Sequence, residues 1–401
     1  MGILVFMAVA VGSASAFFLW ALDGVTRLRF ENPWLLYFLP IAGFLVGWLY
    51  QAHGKSAAGG TKLLINEIRH PGAGVPERMA PMILICTLVT HLCGGSAGRE
   101  GTALQMGGGI AASFARMFRV DPARVRLLLM GGVAAGFGSV FGTPIAGAVF
   151  ALEVFVIGRM RVKALLPCFI AAVVAHWACS AWGVQHTHYP VANAGGHLQP
   201  LLLGKVVFAG ILCGLVGRLF IFCSHELSGH FQRWISRPEW RPVVGGVMVI
   251  GLVLLAGTDY LGLGVLGNGA GAVTLPAMFS SVEIPATAWI WKFIFTIVTL
   301  SAGFKGGEVT PLFFIGAGLG NALAHVLGVP LDLFAAIGFI ALFAGASKAP
   351  LAATILGMEL FGIGNGVYLA AACLLASRFS GNSGIYSAPP LAGGLSRKDL
   401  E

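Results

Sequence analysis

The chain has 401 residues, a formal net charge of +9 and a mean hydropathy of +0.85; only 10% of its residues are charged and 57% are hydrophobic. Soluble domains carry about 25% charged residues, so this chain has too little polar surface to coat a water-borne particle of its size. That excludes a cytosolic enzyme, a secreted disulfide scaffold and a disordered chain, and leaves an all-α polytopic membrane protein.

In chain order, Met1 leads directly into an apolar run near 3–22. Ala14-Ser15-Ala16 resembles a cleavage site, but no positive segment precedes it and further apolar runs follow, so the run reads as a first span. The later runs fall near 33–50, 80–93, 127–157, 164–183, 201–223, 243–262, 286–303, 311–328, 331–345 and 350–376. Several are shorter than the roughly 20 residues needed to cross hydrocarbon. The run 127–157 is broken by Gly131-Gly132, Gly136, Gly138, Gly142 and Pro144. Such interruptions predict discontinuous helices, which are tolerated only where they line a polar path or pack inside protein.

Basic residues sit between the runs: Arg116, Arg119, Arg124 and Arg126; Arg159, Arg161 and Lys163; Arg233, Arg237 and Arg241. This is the pattern of inside loops, whereas 184–200 and 242–291 carry no Lys or Arg and read as outside. Arg27 and Arg29 fit that scheme poorly if the first loop is external. No clustered basic face suggests nucleic acid. The seven cysteines form no CxxC pair and read as small buried hydrophobes. His186, His188 and His197 share one polar loop and read as exposed residues rather than metal ligands; no metal or cofactor is expected.

The chain repeats itself. With a shift of 206 residues, Gly132, Ala135, Phe137, Pro144, Ala146, Glu153, Phe155, Ile157 and Gly158 meet Gly338, Ala341, Phe343, Pro350, Ala352, Glu359, Phe361, Ile363 and Gly364. At nearly the same offset Gly98-Arg99-Glu100-Gly101-Thr102 faces Gly306-Gly307-Glu308-Val309-Thr310, which sets Glu100 beside Glu308. Two halves with Gly-broken segments at matching places point to a substrate site at the repeat interface, whether the halves are parallel or inverted.

Four glycine-rich turns carry the chemistry. In Gly94-Gly95-Ser96-Ala97-Gly98-Arg99-Glu100-Gly101-Thr102 the glycines free a turn ahead of a helix-compatible run from Thr102 to Phe118. A helix start offers unpaired N–H groups and a positive dipole end, which suit an anion. Glu100 sits where that anion would bind and either competes with it or simply stabilises the dipole. In Gly303-Phe304-Lys305-Gly306-Gly307-Glu308-Val309-Thr310-Pro311, Pro311 suits a first helical turn. Glu308 is an intramembrane carboxylate and so a functional candidate, with capping as the plain alternative. Gly59-Gly60-Thr61-Lys62-Leu63-Leu64 is another helix start; Thr61 offers a hydroxyl, and Lys62 reaches a path or snorkels to the inner interface. In Gly381-Asn382-Ser383-Gly384-Ile385-Tyr386-Ser387, Tyr386 offers a hydroxyl or packs as a buried ring.

Taken together these motifs resemble the CLC family of chloride channels and anion/proton antiporters, over nearly the whole chain. Gly98-Arg99-Glu100-Gly101 matches the family's GREGP motif with Thr102 for Pro. Gly306-Gly307-Glu308-Val309-Thr310-Pro311 matches its GGxFxP motif with Val309 for Phe, and Tyr386-Ser387-Ala388 matches the stretch around its central tyrosine. The resemblance implies a CLC fold with two inverted repeats and discontinuous helices. It also implies a gating role for Glu100, anion contacts at Gly98, Arg99, Gly101, Val309, Thr310 and Tyr386, and a homodimer.

The departures narrow the likeness. Gly60-Thr61-Lys62-Leu63-Leu64 replaces the GSGIP filter motif, with Thr61 at the central Ser. The paired glutamates of chloride/proton exchangers read Glu153-Val154 here. GREGT with GGEVTP is similar to the fluoride-specific clade of bacterial fluoride/proton antiporters, in which the acid at Glu308 and the threonine at Thr310 serve fluoride and proton movement. That clade usually has Asn or Met at Thr61. Phe313 and Phe314 follow on the same helix and either turn positive ring edges to an anion or pack in the core.

The expectation is one transmembrane domain over 1–401, with halves near 1–190 and 200–401 and no C-terminal regulatory domain. It sits in the lipid bilayer of a bacterial inner membrane as a homodimer, exchanging fluoride for protons through Glu100 and Glu308. A chloride/proton antiporter or chloride channel on the same fold is the alternative. No catalytic set such as paired His ligands or a Ser–His arrangement points to an enzyme, and participation of Glu153 or Glu359 is left open.

Overall fold

The structure is a computed structural model that describes residues 1–69, 72, 74–155, 162–192, 199–269, 271–280 and 282–386. Ile157, Gly158, Arg159, Arg161, His197, Ser387 and Ala388, all used in the sequence reading, lie outside the described residues. Fifteen α-helices make up nearly all the regular structure among the described residues. In the first half these are α1 (Gly2–Glu31), α2 (Leu39–His53), α3 (Gly60–Arg69), α4 (Met79–Leu92), α5 (Glu100–Met117), α6 (Pro122–Phe141), α7 (Pro144–Phe155) and α8 (Val162–Ala181). The second half holds α9 (Pro200–Trp234), α10 (Arg241–Ala256), α11 (Ala288–Ser301), α12 (Val309–Leu327), α13 (Leu331–Ser347), α14 (Pro350–Phe361) and α15 (Gly366–Phe379). Among the described residues seven helical stretches are long and apolar enough to cross a membrane, and shorter apolar helices have 10–17 residues.

Backbone chemistry sets the breaks. The run 127–157 divides at Gly142, whose φ of +75° suits a residue without Cβ, and Pro144 then opens α7. The second half copies the break: α13 ends at Ser347, Lys348 takes the left-handed conformation, and Pro350 opens α14. The run 350–376 divides in the same way at Gly362 into α14 and α15. Helices α3 and α5 had no apolar run to announce them. They were expected only from the glycine turns that precede them, and both begin where those turns end.

The two halves are inverted relative to one another. Glu359 on α14 accepts the backbone N–H groups of Ile145 and Ala146 at the start of α7, at 3.1 and 2.7 Å. Glu153 on α7 returns the contact to Leu351 and Ala352 at the start of α14, at 3.0 and 2.7 Å. Each helix thus caps the other's N-terminus, which requires equivalent helices to run antiparallel. A two-fold axis perpendicular to them produces that arrangement.

Small residues let the helices within each half approach closely. A Cβ on Gly107 of α5 would lie 2.1 Å from the Gly132 carbonyl of α6. One on Gly316 of α12 would lie 2.2 Å from the Gly338 carbonyl of α13. This is backbone-to-backbone packing of the kind that holds helices together in lipid. Between the halves the core is aromatic: Phe137 stacks on Phe150 at 4.4 Å, and Phe150 and Phe137 both stack with Phe343 of the second half.

Candidate anion pathway

The glycine turns ahead of α5 and α12 meet at the centre of the molecule. Gly98 and Gly307 form an isolated antiparallel bridge, with the Gly98 N–H donating to Gly307 O at 2.6 Å and the Gly307 N–H to Gly98 O at 2.7 Å. Their closeness excludes side chains: a Cβ on Gly307 would stand 2.7 Å from the Gly101 nitrogen. The register differs by one residue from the sequence comparison. Arg99 and Glu308 are the N-cap residues of α5 and α12, so the structural counterpart of Glu308 is Arg99, and that of Glu100 is Val309. Only the bridge between the turns reveals this, because glycine-rich segments align almost equally well one residue apart.

Glu100 is fully buried at the first position of α5. Its Oε2 accepts the Arg99 N–H at 3.1 Å and the Thr310 N–H at 3.0 Å, and its Oε1 accepts the Thr310 hydroxyl. The carboxylate therefore occupies the N-terminus of α12, where unpaired N–H groups and the dipole favour negative charge. Its atoms stand where a free anion would bind. The Arg99 guanidinium lies beside it, with Nε 3.8 Å from Oε1.

Cavities approach this point from both sides. On the side of the Arg-rich loops lies a cavity of about 350 Å³ lined by Tyr50, Thr61, Lys62, Gln105, Lys305, Glu308 and Tyr386. The Thr61 hydroxyl accepts a hydrogen bond from Gln105 Nε2 at 3.4 Å. Among the described residues the buried Tyr386 hydroxyl has no hydrogen-bond partner, and its ring meets Phe150 edge-on at 5.6 Å. The Lys305 ammonium rests 4.1 Å from the Tyr50 ring centroid, a cation–π arrangement. On the opposite side a void of about 20 Å³ is lined by Arg99, Phe141, His186, Tyr189, Thr310, Phe313 and Phe339. It leads toward a larger outer cavity of about 760 Å³ that also contains Arg99 and His186.

The structure brings together Gly98, Arg99, Glu100, Gly101 and Thr310 at the crossing, and Thr61, Lys62, Glu308 and Tyr386 around the inner cavity. Phe313 stands at the outer constriction, stacked on Phe339 at 3.9 Å. Phe314 faces elsewhere: it packs beneath the buried Lys292, whose Nζ lies 5.3 Å from its ring centroid and donates to the carbonyls of Tyr260 and Gly262. Val309 is buried in the core and lines neither cavity. Glu153 and Glu359 are engaged in capping helices. His186 donates through Nε2 to Ser139 O at 2.8 Å, with its ring 5.6 Å from that of His176.

Sequence reasoning missed Tyr50, Gln105 and Lys305 as lining residues. Lys305 carried a signal, being a lysine inside a glycine turn beside Glu308. Tyr50 and Gln105 lie on helices with nothing in their surroundings to mark them.

A bundle of broken, inverted helices whose N-termini converge on a buried carboxylate between two cavities defines a membrane protein that moves anions. The family model described as "Voltage gated chloride channel" matches residues 42–381, and the chain belongs to this family, that of the CLC anion channels and transporters. It is a multi-span CLC-type anion transporter, and not an enzyme. It is 46% identical over 394 residues to the "Chloride/fluoride channel protein" of Pseudomonas syringae pv. tomato, covering 95% of this chain and 84% of that relative. It superposes on the crystal structure of a CLC-type fluoride/proton antiporter with a TM-score of 0.90 at 33% identity, over 96% of this chain and 95% of the other. A slow cyanobacterial Cl-/H+ antiporter shares the fold, with a TM-score of 0.84 at 21% identity over 96% of both chains.

Proposed function

We propose that this protein is a fluoride/proton antiporter of the bacterial plasma membrane that exports fluoride from the cytoplasm. The observation that carries the reading is the Glu100 carboxylate seated on the N–H and hydroxyl of Thr310. While charged, Glu100 fills the anion position at the start of α12. Protonation removes the charge that those donors and the helix dipole hold, so the side chain leaves and an incoming anion takes its place. Each anion passage is thereby tied to a proton on Glu100.

Fluoride is small and strongly hydrated, so a path for it must replace water with close donors. Along the line from the inner cavity to the crossing the chain offers the hydroxyls of Thr61, Tyr386 and Thr310 and the backbone N–H groups of the two glycine turns. Glu308 is the acid on the inner side of that line and carries protons between the cavity and Glu100. The 46% identical chloride/fluoride channel protein and the 33% identical fluoride/proton antiporter support fluoride as cargo. The homodimer follows from the family likeness.

The test is ion efflux from proteoliposomes, followed in parallel with fluoride and chloride electrodes while internal pH is recorded. Fluoride efflux accompanied by proton uptake, with slower chloride efflux, is expected. Equal rates for the two halides defeat the fluoride assignment and leave a chloride/proton antiporter or, without proton uptake, a chloride channel.

A further inference from the structure

We propose that the outer cavity is a binding site for an amphipathic organic anion, one with a phosphate or carboxylate head and an apolar body. Arg29 and Arg99 both line this cavity of about 760 Å³. Arg29 is only 6% exposed, and its Nε is buried without a hydrogen-bond partner. The Nε of Arg99 is likewise buried with no hydrogen-bond partner among the described residues, although the Glu100 carboxylate stands 3.8 Å from it as a counter-charge. Among the described residues neither guanidinium donates a hydrogen bond; Arg29 rests against the Phe30 ring at 4.9 Å and Arg99 lies 3.8 Å from Glu100.

A guanidinium carries five donors in a fixed fork suited to two oxygens of one anionic head. Removing it from water without such a partner is costly. Arg29 has no such partner among the described residues, and with the guanidinium of Arg99 on the same cavity it describes a place suited to an oxygen anion. Among the described lining residues the one acid, Asp23, accepts a 2.7 Å hydrogen bond from Arg27, and the Glu100 carboxylate beside Arg99 is engaged by Thr310. This arrangement also accounts for Arg29, in the last turn of α1, which fits the charge pattern poorly: the residue is not a topology marker but part of a cavity wall.

The rest of the wall selects against a bare halide. It is largely apolar, formed by Phe17, Trp20, Trp182 and Leu263 among others. A hydrated ion gains nothing from such surfaces, whereas ligand sites of roughly 300–1,000 Å³ combine apolar walls with a few placed polar groups. Trp20 and Trp182 are 74% and 70% exposed on the molecular surface, as residues at a membrane interface often are, so the apolar body has a route in from the lipid boundary. The head group would sit at Arg99, next to the carboxylate that gates the path. Occupancy therefore obstructs the outer end of transport.

The probe is octyl phosphate, added to the outside of phosphatidylcholine proteoliposomes during efflux and titrated calorimetrically into protein in phosphatidylcholine nanodiscs. The calorimetric arm does not depend on which halide is carried. Saturable binding to the wild type is expected, with inorganic phosphate at the same concentration binding far more weakly. Arg29→Met removes a charged bidentate partner and weakens binding about tenfold or more, while Arg29→Lys, which keeps the charge but not the fork, weakens it less, and basal efflux continues in both. Trp182→Ala, in the apolar part of the wall, weakens octyl phosphate without affecting inorganic phosphate. Including phosphatidylglycerol separates the sources: a raised requirement for octyl phosphate assigns the natural occupant to lipid, and an unchanged one assigns it to a soluble amphiphile. Equal binding by wild type and Arg29→Met, or no saturable binding to the wild type, overturns the proposal.

Discussion

Glu100 and Thr310 come from different halves of the chain, yet one carboxylate answers both the hydroxyl and the backbone N–H of the other residue. The coupling predictions belong to this pair. Glu100→Gln keeps the shape and removes the titratable charge, so proton uptake during fluoride efflux is expected to vanish; simultaneous fluoride-electrode and pH recordings check it, and intact coupling defeats the gating role. Glu308 stands apart on the inner cavity. Glu308→Ala is expected to lower fluoride transport at least severalfold, read as initial efflux rate per reconstituted protein. A wild-type rate returns Glu308 to a plain helix-start role. At this scale the sequence was legible for polar residues in glycine turns, because a carboxylate or hydroxyl placed there in an apolar chain has few other uses. It was not legible for Tyr50 and Gln105, whose place on the cavity depends on how α2 and α5 are turned, nor for the fates of Phe313 and Phe314. Those two adjacent rings point to different neighbours, one toward the constriction and one toward Lys292.

At the scale of elements, α7 and α14 hold each other's N-termini through Glu153 and Glu359. Both carboxylates are charged partners of backbone donors at a helix start. Each of Glu153→Ala and Glu359→Ala is therefore expected to cost about 1–3 kcal/mol of stability. Thermal unfolding in detergent should register the loss, while the ratio of protons to fluoride moved stays as in the wild type. A changed ratio with unchanged stability would move these residues onto the proton path. The break between α6 and α7 and the start of α14 were readable in advance, since Gly142, Pro144 and Pro350 fix where a helix stops and restarts. However, α6 runs unbroken through Gly131, Gly132, Gly136 and Gly138, and the end of α14 inside the run 350–376 was not readable. Nor was Lys348: a left-handed lysine has no sequence signature, but it stands opposite Gly142 in the repeat and its ammonium is held by Ser377 O, Ser380 Oγ and Gly381 O. Helices α3 and α5 lacked the apolar runs of the others because α5 is rich in glycine and α3 is polar on one side.

For the whole molecule, inverted halves place one cavity on each side of a central crossing. The charge pattern assigns the Arg-rich loops to the cytoplasm, which puts Thr61, Lys62 and Glu308 inside and Arg29, His186 and Trp182 outside. Two exposed positions test this directly. Gln185→Cys is expected to react with a membrane-impermeant thiol reagent applied to intact cells, and Ser236→Cys only after the membrane is opened. Six of the seven native cysteines are buried, and replacing Cys223 removes the half-exposed one. Reaction of both positions from the same side rejects the arrangement. The low charge content, the broken apolar runs and the internal repeat were sufficient to establish by sequence alone a helical membrane protein with duplicated, interrupted helices. They were sufficient because the bilayer admits few solutions: backbone groups must be satisfied within helices, and polar residues must be hidden within protein. Which glycine turn faces which, the one-residue register that pairs Arg99 with Glu308, and the gathering of two arginines on one outer cavity were decided only by tertiary structure. Those features depend on contacts between residues far apart in the chain, and a glycine-rich segment carries too little side-chain information to specify its own partner.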